Sequence, residues 1–265
     1  MVRTSRLVIA FTVVLASIAG IVAAQNKQAP NKKAQTVSNQ AIADLAAWRN
    51  QQARSYLQKQ KAEFGSTPEF QTAWALLEIQ DGADGKKAMV DRGMTNLSKM
   101  TKNQSVNAIA SYYQGEILYQ QKKRNEANAA WQAAAKNAGA LAKKNPTDAT
   151  AHFYAGAALV RTKKFPQARD ALLMAVRGGF DPAMVNHQIG LSFLFAESWM
   201  EARKAFDLGL AVNPRYAPMY FWRAMAWEKL GHKDKMLLDL DQYLKLAPNG
   251  PEAGKAKSVL KSAGR

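Results

Sequence analysis

A pattern that recurs every thirty-four residues constrains this chain more than any other feature of its sequence. Small residues, which allow two helices to pack closely, alternate with large apolar residues, and a proline or an aromatic residue closes each unit. Self-similarity of this kind is typical of stacked helical repeats. The positions that align are Gly156, Gly190 and Ala224; Ala168, Ala202 and Met236; Leu172, Phe206 and Leu240; Ala175, Gly209 and Tyr243; and Phe180, Pro214 and Pro248.

The pattern resembles the tetratricopeptide repeat, which has small residues near places eight and twenty of each unit and a proline near place thirty-two. The resemblance covers residues 149–250 and divides them into repeats at 149–182, 183–216 and 217–250. The first repeat departs from the pattern, since its proline, Pro182, comes two residues late. The resemblance implies an all-α fold, a right-handed superhelix (α-solenoid) of antiparallel helix pairs, and a non-enzymatic scaffold that binds other proteins.

The sequence on both sides of these repeats predicts further helices. In residues 105–148 we expect an altered repeat whose second helix is longer by about 10 Å, because its proline arrives seven residues late. We expect residues 38–104 to form N-terminal helical hairpins, which are degenerate repeats, and residues 251–265 to form a C-terminal capping helix. Near the start of the first of these segments, an apolar stripe from Ile42 to Leu57 predicts one helix, which Ser38 would cap.

The first residues have the order of a secretory signal peptide. Two arginines precede an uncharged, mostly apolar run over 7–24, and small residues end this run. We therefore predict a signal peptide over 1–24, cleavage after Ala24, export to the periplasm or the extracellular space, and a flexible linker over 25–37. An uncleaved membrane anchor is the alternative, because an apolar run of about eighteen residues approaches the length of a membrane span.

The chain carries a formal net charge of +17 at pH 7, and such a charge attracts anionic surfaces. Its lysines are scattered over helix ends and turns, for example at 122–123, 143–144 and 163–164, and no single element carries a basic stripe interleaved with aromatic residues. We interpret the charge as a solvated surface. The alternative is a basic envelope protein that associates weakly with an anionic polymer or a membrane surface. A nucleic-acid partner is not expected.

No pattern in the sequence indicates catalysis, a metal or a cofactor. The chain has no cysteine, which excludes disulfides, cysteine ligands and cysteine nucleophiles. Its three histidines, His152, His187 and His232, lie at spacings that do not fit a metal site within one element. Asp239 and Asp241 are two residues apart on a predicted helix, so their side chains point in different directions. We therefore expect no catalytic residue, no metal, no cofactor and no enzymatic activity.

In the tetratricopeptide family, places two, five, nine, twelve and thirteen of each repeat line a concave groove. These places form one stripe on the first helix of each pair. The resemblance thus predicts a mostly aromatic and apolar groove that binds an apolar or amphipathic segment of a protein partner. Aromatic residues at helical spacing also pack as core, which is the alternative interpretation. The predicted groove residues are Tyr112, Glu116, Tyr119, Phe153, Arg161, His187, Leu191, Leu194, Phe195, Phe221, Met225 and Glu228.

Overall fold

A computed structural model describes residues 31–83 and 85–264, and all regular secondary structure within them is α-helical. The thirteen helices are α1 (Lys32–Ala46), α2 (Asn50–Phe64), α3 (Pro68–Gly82), α4 (Lys87–Met100), α5 (Asn107–Gln120), α6 (Arg124–Lys144), α7 (Ala149–Arg161), α8 (Phe165–Arg177), α9 (Pro182–Phe195), α10 (Trp199–Val212), α11 (Ala217–Lys229), α12 (Lys233–Leu246) and α13 (Ala253–Ser262).

Consecutive helices pack in pairs, so that α3 to α12 form five hairpins, each with a first and a second helix. The recurring small residues lie where the two helices of a pair approach most closely. A Cβ atom added at Gly156 would lie 2.6 Å from Cγ of Leu172, and one added at Gly190 would overlap the ring of Phe206. The fold is an all-α helical repeat array, as the sequence predicts.

The turns within the last four of these hairpins have a common backbone geometry. Lys122, Lys163, Glu197 and Gly231 occupy the same place in successive hairpins, and their φ angles are 64°, 62°, 61° and 78°. This left-handed conformation stops the first helix and reverses the chain within three residues. Trp48 has the same conformation, with φ 65°, between α1 and α2. The α1–α2 pair is therefore one more hairpin of this type.

Two predictions about the N-terminal part are wrong. The linker expected over 25–37 gives way to helix at Lys32, and Asn31 rather than Ser38 caps that helix, because the Asn31 side chain accepts from the amide of Ala34. The stripe from Ile42 to Leu57 belongs to two helices instead of one, since the chain reverses at Trp48. Residues 1–30, with the predicted signal peptide and the start of the linker, lie outside the described part of the chain.

Helix α1 contacts elements that are far away in the sequence. Asn39 Nδ2 donates a 2.9 Å hydrogen bond to Thr150 Oγ1, at place two of the α7 helix. Trp48, which follows α1, packs against the apolar cluster that contains Phe221. The five consecutive residues 41–45 are all buried, and five residues span a full helical turn. This end of α1 is therefore covered on every side and forms part of the core.

The remaining helices complete the array. α6 has 21 residues, whereas the second helices α8, α10 and α12 have 13 or 14, so the altered repeat does contain a longer second helix. α13 packs on α12 through Ala253, Ala256 and Leu260, which belong to the same apolar cluster as Phe221. Across residues 31–83 and 85–264, no helix combines the length and the apolar character needed to cross a membrane.

Candidate functional site

The structure divides the predicted groove residues into a buried group and an open group. Six of the twelve predicted groove residues are buried, and these include the whole column at place five. Phe153 and Phe221 are each 1% exposed and His187 is 9% exposed. The prediction of an open aromatic column is therefore wrong. The buried group consists of Tyr112, Phe153, His187, Leu191, Leu194 and Phe221.

The column is buried because its rings pack against other aromatic rings and because α13 covers the last of them. The Phe153 ring stacks on that of Phe180 with 4.2 Å between centroids. Phe221 lies 5.6 Å from the Tyr243 ring, and Lys255 of α13 lies over its face. These are the contacts of core residues. They agree with the alternative interpretation of the sequence, in which the aromatic residues pack as core.

His187 is held in the core in its neutral form. Its Nδ1 is 3.5 Å from the hydroxyl oxygen of Tyr216, and its ring lies 6.3 Å from that of Phe206. Burial, assisted by the positive charge of Arg161, lowers the pKa of His187 from its ordinary value of 6.5 to about 3. A histidine in this environment stays uncharged throughout the physiological range, so it contributes packing and a weak polar contact.

Three residues of the open group, Tyr119, Arg161 and Phe195, belong to an aromatic–arginine row that crosses four consecutive hairpins. We use this name for Tyr119 on α5, Trp131 on α6, Arg161 on α7, Phe195 on α9 and Trp222 on α11. The Tyr119 and Trp131 ring centroids are 5.6 Å apart, and Arg161 Cζ lies 5.6 Å from the Trp131 ring and 5.9 Å from the Phe195 ring. Phe195 in turn meets Trp222 edge to face at 6.0 Å. Each member thus touches the next.

The row contains one buried ring and two exposed rings. Trp131 is buried, whereas Tyr119 and Phe195 are 52% and 38% exposed. Exposed aromatic rings on a rigid helical surface are good anchors for the apolar side chains of a partner. The two rings are also held in place by their neighbours in the row, so binding would cost them little conformational entropy.

Arg161 is the centre of the row, and Glu116 fixes its position. Its Nε donates to Glu116 Oε1 at 2.7 Å, and Nη2 donates to Glu116 Oε2 in a second, shorter bond. This bidentate geometry holds the guanidinium plane in one orientation. The Glu116 carboxylate raises the pKa of Arg161 although burial opposes the charge, so the cation is permanent. The pKa of the neighbouring Tyr112 is also raised, chiefly by burial.

Sequence reasoning found part of this row and missed the rest. Tyr119, Arg161 and Phe195 were predicted from their places in the repeat. Trp131 and Trp222 were not, because Trp131 lies on a second helix and Trp222 is at place six, outside the family's lining positions. Their size is the signal that could have identified them, since a tryptophan reaches beyond its own place. Of the other predicted residues, Met225 is half-buried and Glu228 is exposed.

The fold consists of stacked antiparallel hairpins, and the row of side chains extends across several of them. This arrangement defines the class of helical repeat scaffolds. Within this class, residues 127–183 and 187–251 match the family model of the tetratricopeptide repeat. These residues therefore form tetratricopeptide repeats, and such repeats are scaffolds for interactions between proteins. A comparison with curated protein sequences finds no significant match.

Several solved structures have a similar fold. A thermophilic tetratricopeptide protein from Thermus thermophilus is 15% identical, with 87% of this chain and 98% of that chain covered and a TM-score of 0.46. The pilF protein of Pseudomonas aeruginosa is 18% identical, with 86% and 98% covered and a TM-score of 0.37. YrrB, described as having an unusual peptide-binding site, is 18% identical, with 76% and 97% covered and a TM-score of 0.39. Likenesses at this level do not transfer a function to this chain.

Proposed function

We propose that this protein is an interaction scaffold that binds a segment of a protein partner along the aromatic–arginine row. The observation that supports this proposal most directly is the continuity of the row across four hairpins, with exposed rings at Tyr119 and Phe195. Other exposed apolar residues, such as Leu208 and Leu238, lie on second helices and do not belong to the row.

The length of the row suggests the size of the partner segment. Packed helices lie about 8–10 Å apart, so a row that crosses four hairpins spans roughly 30 Å. An extended segment of about nine residues covers that distance. Side chains on one face of such a segment recur every second residue, which would allow two or three of them to contact the row.

Peptide binding tests this proposal. A peptide selected on the purified protein from a random library is labelled, and its affinity is measured by fluorescence anisotropy for the wild type and for two double variants. Tyr119→Ala with Phe195→Ala should weaken binding about tenfold or more, since each truncated anchor costs roughly 1–2 kcal/mol of binding free energy. Leu208→Ala with Leu238→Ala removes apolar residues elsewhere that are even more exposed, and it should change affinity less than twofold.

The thermal midpoints of the two double variants complete this test. All four residues are exposed, so both variants should melt close to the wild type. If the control variant loses affinity as much as the row variant does, or if the row variant keeps wild-type affinity, the selected peptide binds elsewhere and the proposal fails.

We also propose that the scaffold works in the cell envelope, in the periplasm or outside the cell. The support for this location is the sequence alone, namely the basic residues, the apolar run over 7–24 and the small residues that end it. Fractionation of the native host tests the location, and recovery of the protein in the cytosolic fraction would exclude it.

A further inference from the structure

The turns within the hairpins gather basic residues along one edge of the array. Consecutive helices are antiparallel, so the first helices α5, α7, α9 and α11 run in the same direction and their turns lie at the same end. These turns, with one flanking residue on each side, carry eight basic residues and one acidic residue, Glu197. The basic residues of this edge are Lys122, Lys123, Arg124, Arg161, Lys163, Lys164, Lys229 and Lys233. We call this surface the basic edge.

The opposite edge has a nearly balanced charge. The three turns that join these hairpins to one another, with their flanking residues, carry three basic residues, Lys144, Arg177 and Arg215, against two acidic residues, Asp148 and Asp181. Among the turns of these four hairpins, positive charge is therefore concentrated on one edge of the array. This asymmetry is a property of the array, because no single turn contributes more than three charges.

Seven of the eight cations of the basic edge are exposed and can attract an anionic group. Arg161 is neutralised by Glu116, and Arg223 in the hairpin interior is neutralised by Asp207 and Asp239. The other seven basic-edge residues are all exposed. Lys122 and Lys163 hold equivalent places in neighbouring hairpins, and each is fixed by its left-handed backbone at the end of a first helix. Their backbones therefore present the side chains from defined positions.

The basic edge borders the aromatic–arginine row. Tyr119 precedes Lys122 by three residues, and Arg161 precedes Lys163 by two, so the same helix ends supply both surfaces. An extended segment that places apolar side chains on the row would direct its alternate side chains toward this edge. Acidic residues at those positions would meet several uncompensated positive charges.

We infer that the partner segment is both apolar and acidic, with Asp or Glu residues alternating with the apolar residues that contact the row. This inference rests on the proposed function and adds the chemistry of the partner to it. The apolar residues of such a segment would pack on the exposed rings, and its carboxylates would be attracted by the lysines, which speeds association. The same lysines would repel basic segments.

Two labelled peptides and two quadruple variants test the inference in the full chain. The peptides are nine residues long, with Phe or Leu at alternate positions and either Glu or Gln between them. The first variant replaces Lys122, Lys123, Lys163 and Lys164 with Gln, and the matched control replaces Lys143, Lys144, Arg177 and Arg215 with Gln. Both variants remove four positive charges from exposed residues, so a general effect of net charge is equal in the two.

The wild type should bind the Glu peptide at least tenfold more tightly than the Gln peptide at low salt, and this preference should shrink as salt increases. The basic-edge variant should lose most of the preference, and the control should keep it. Equal binding of the two peptides, with Tyr119→Ala and Phe195→Ala still weakening both, would overturn this inference and leave the proposed function standing. Binding that depends on the lysines but not on these rings, or binding of anionic vesicles that depends on the same four lysines, would overturn the inference as well.

Discussion

Gly190 and Phe206 show how one missing side chain sets the distance between two helices. A Cβ atom at Gly190 would overlap the Phe206 ring, and one at Gly115 would lie 2.5 Å from Trp131 Nε1. The sequence could predict these contacts because a small residue and a large one recur at fixed places in every repeat. It could not predict which of the large residues stay open to solvent, since that depends on elements distant in the sequence.

Gly190→Ala should destabilise the protein by about 1–3 kcal/mol, because the added methyl group must displace the Phe206 ring from a packed position. Gly139→Ala is the matched control on α6, where an added Cβ meets no atom within 4 Å. There the change should stabilise the fold by up to about 1 kcal/mol through helix propensity. Chemical denaturation measures both, and equal effects would show that Gly190 does not lie at a tight helix contact.

His187 makes the stability depend on pH in the acidic range. Its folded pKa of about 3 lies below the unfolded value of 6.5, so only the unfolded state takes up a proton between these values. Its contribution is complete above pH 6.5 and declines as the pH falls toward 3, by about 1.4 kcal/mol per pH unit. His187→Gln should lower stability at pH 7 and flatten the decline below pH 6.5. An unchanged slope in denaturation titrations would contradict the buried neutral state.

At the scale of the helices, the repeats from α7 to α12 were predictable because several places coincide in each unit. The α1–α2 hairpin was not recognised, although Ala41, Ala53 and Leu57 occupy the places of Gly156, Ala168 and Leu172. Two features concealed it. Half of its apolar residues are alanines, which resemble a linker in composition. Trp48 also stands where a lysine, a glutamate or a glycine makes the turn in later hairpins.

If α1 is part of the core, shortening one of its buried side chains should destabilise the whole array. Ile42 is 1% exposed, and Ile42→Ala should cost about 2–5 kcal/mol of unfolding free energy. Gln40→Ala, on the exposed side of the same helix, is the control and should change stability by less than about 0.5 kcal/mol. A wild-type melting midpoint for Ile42→Ala would mean that α1 is peripheral and does not cover the first helices.

At the scale of the whole molecule, the candidate site reflects how the array closes on its own first helices. The hydrogen bond from Asn39 to Thr150 joins residues 111 positions apart, and no repeat-by-repeat inspection of the sequence reveals such a contact. Half of the predicted groove residues are buried, whereas Tyr119 and Phe195, at the ends of first helices, are accessible. The aromatic–arginine row and the basic edge both lie at these ends.

The last prediction concerns the processing of the chain. The first described helix begins with the cap at Asn31, so cleavage after Ala24 would leave six residues before that cap and would remove none of the contacts within residues 31–83 and 85–264. We expect protein from the native host to begin at Gln25, because small residues at the end of the apolar run suit a signal peptidase. Intact-mass measurement decides this. Ala24→Arg places a large charge at the cleavage site and should yield a longer, membrane-retained precursor. A mature wild-type chain that still begins at Met1 would instead identify the apolar run as an anchor.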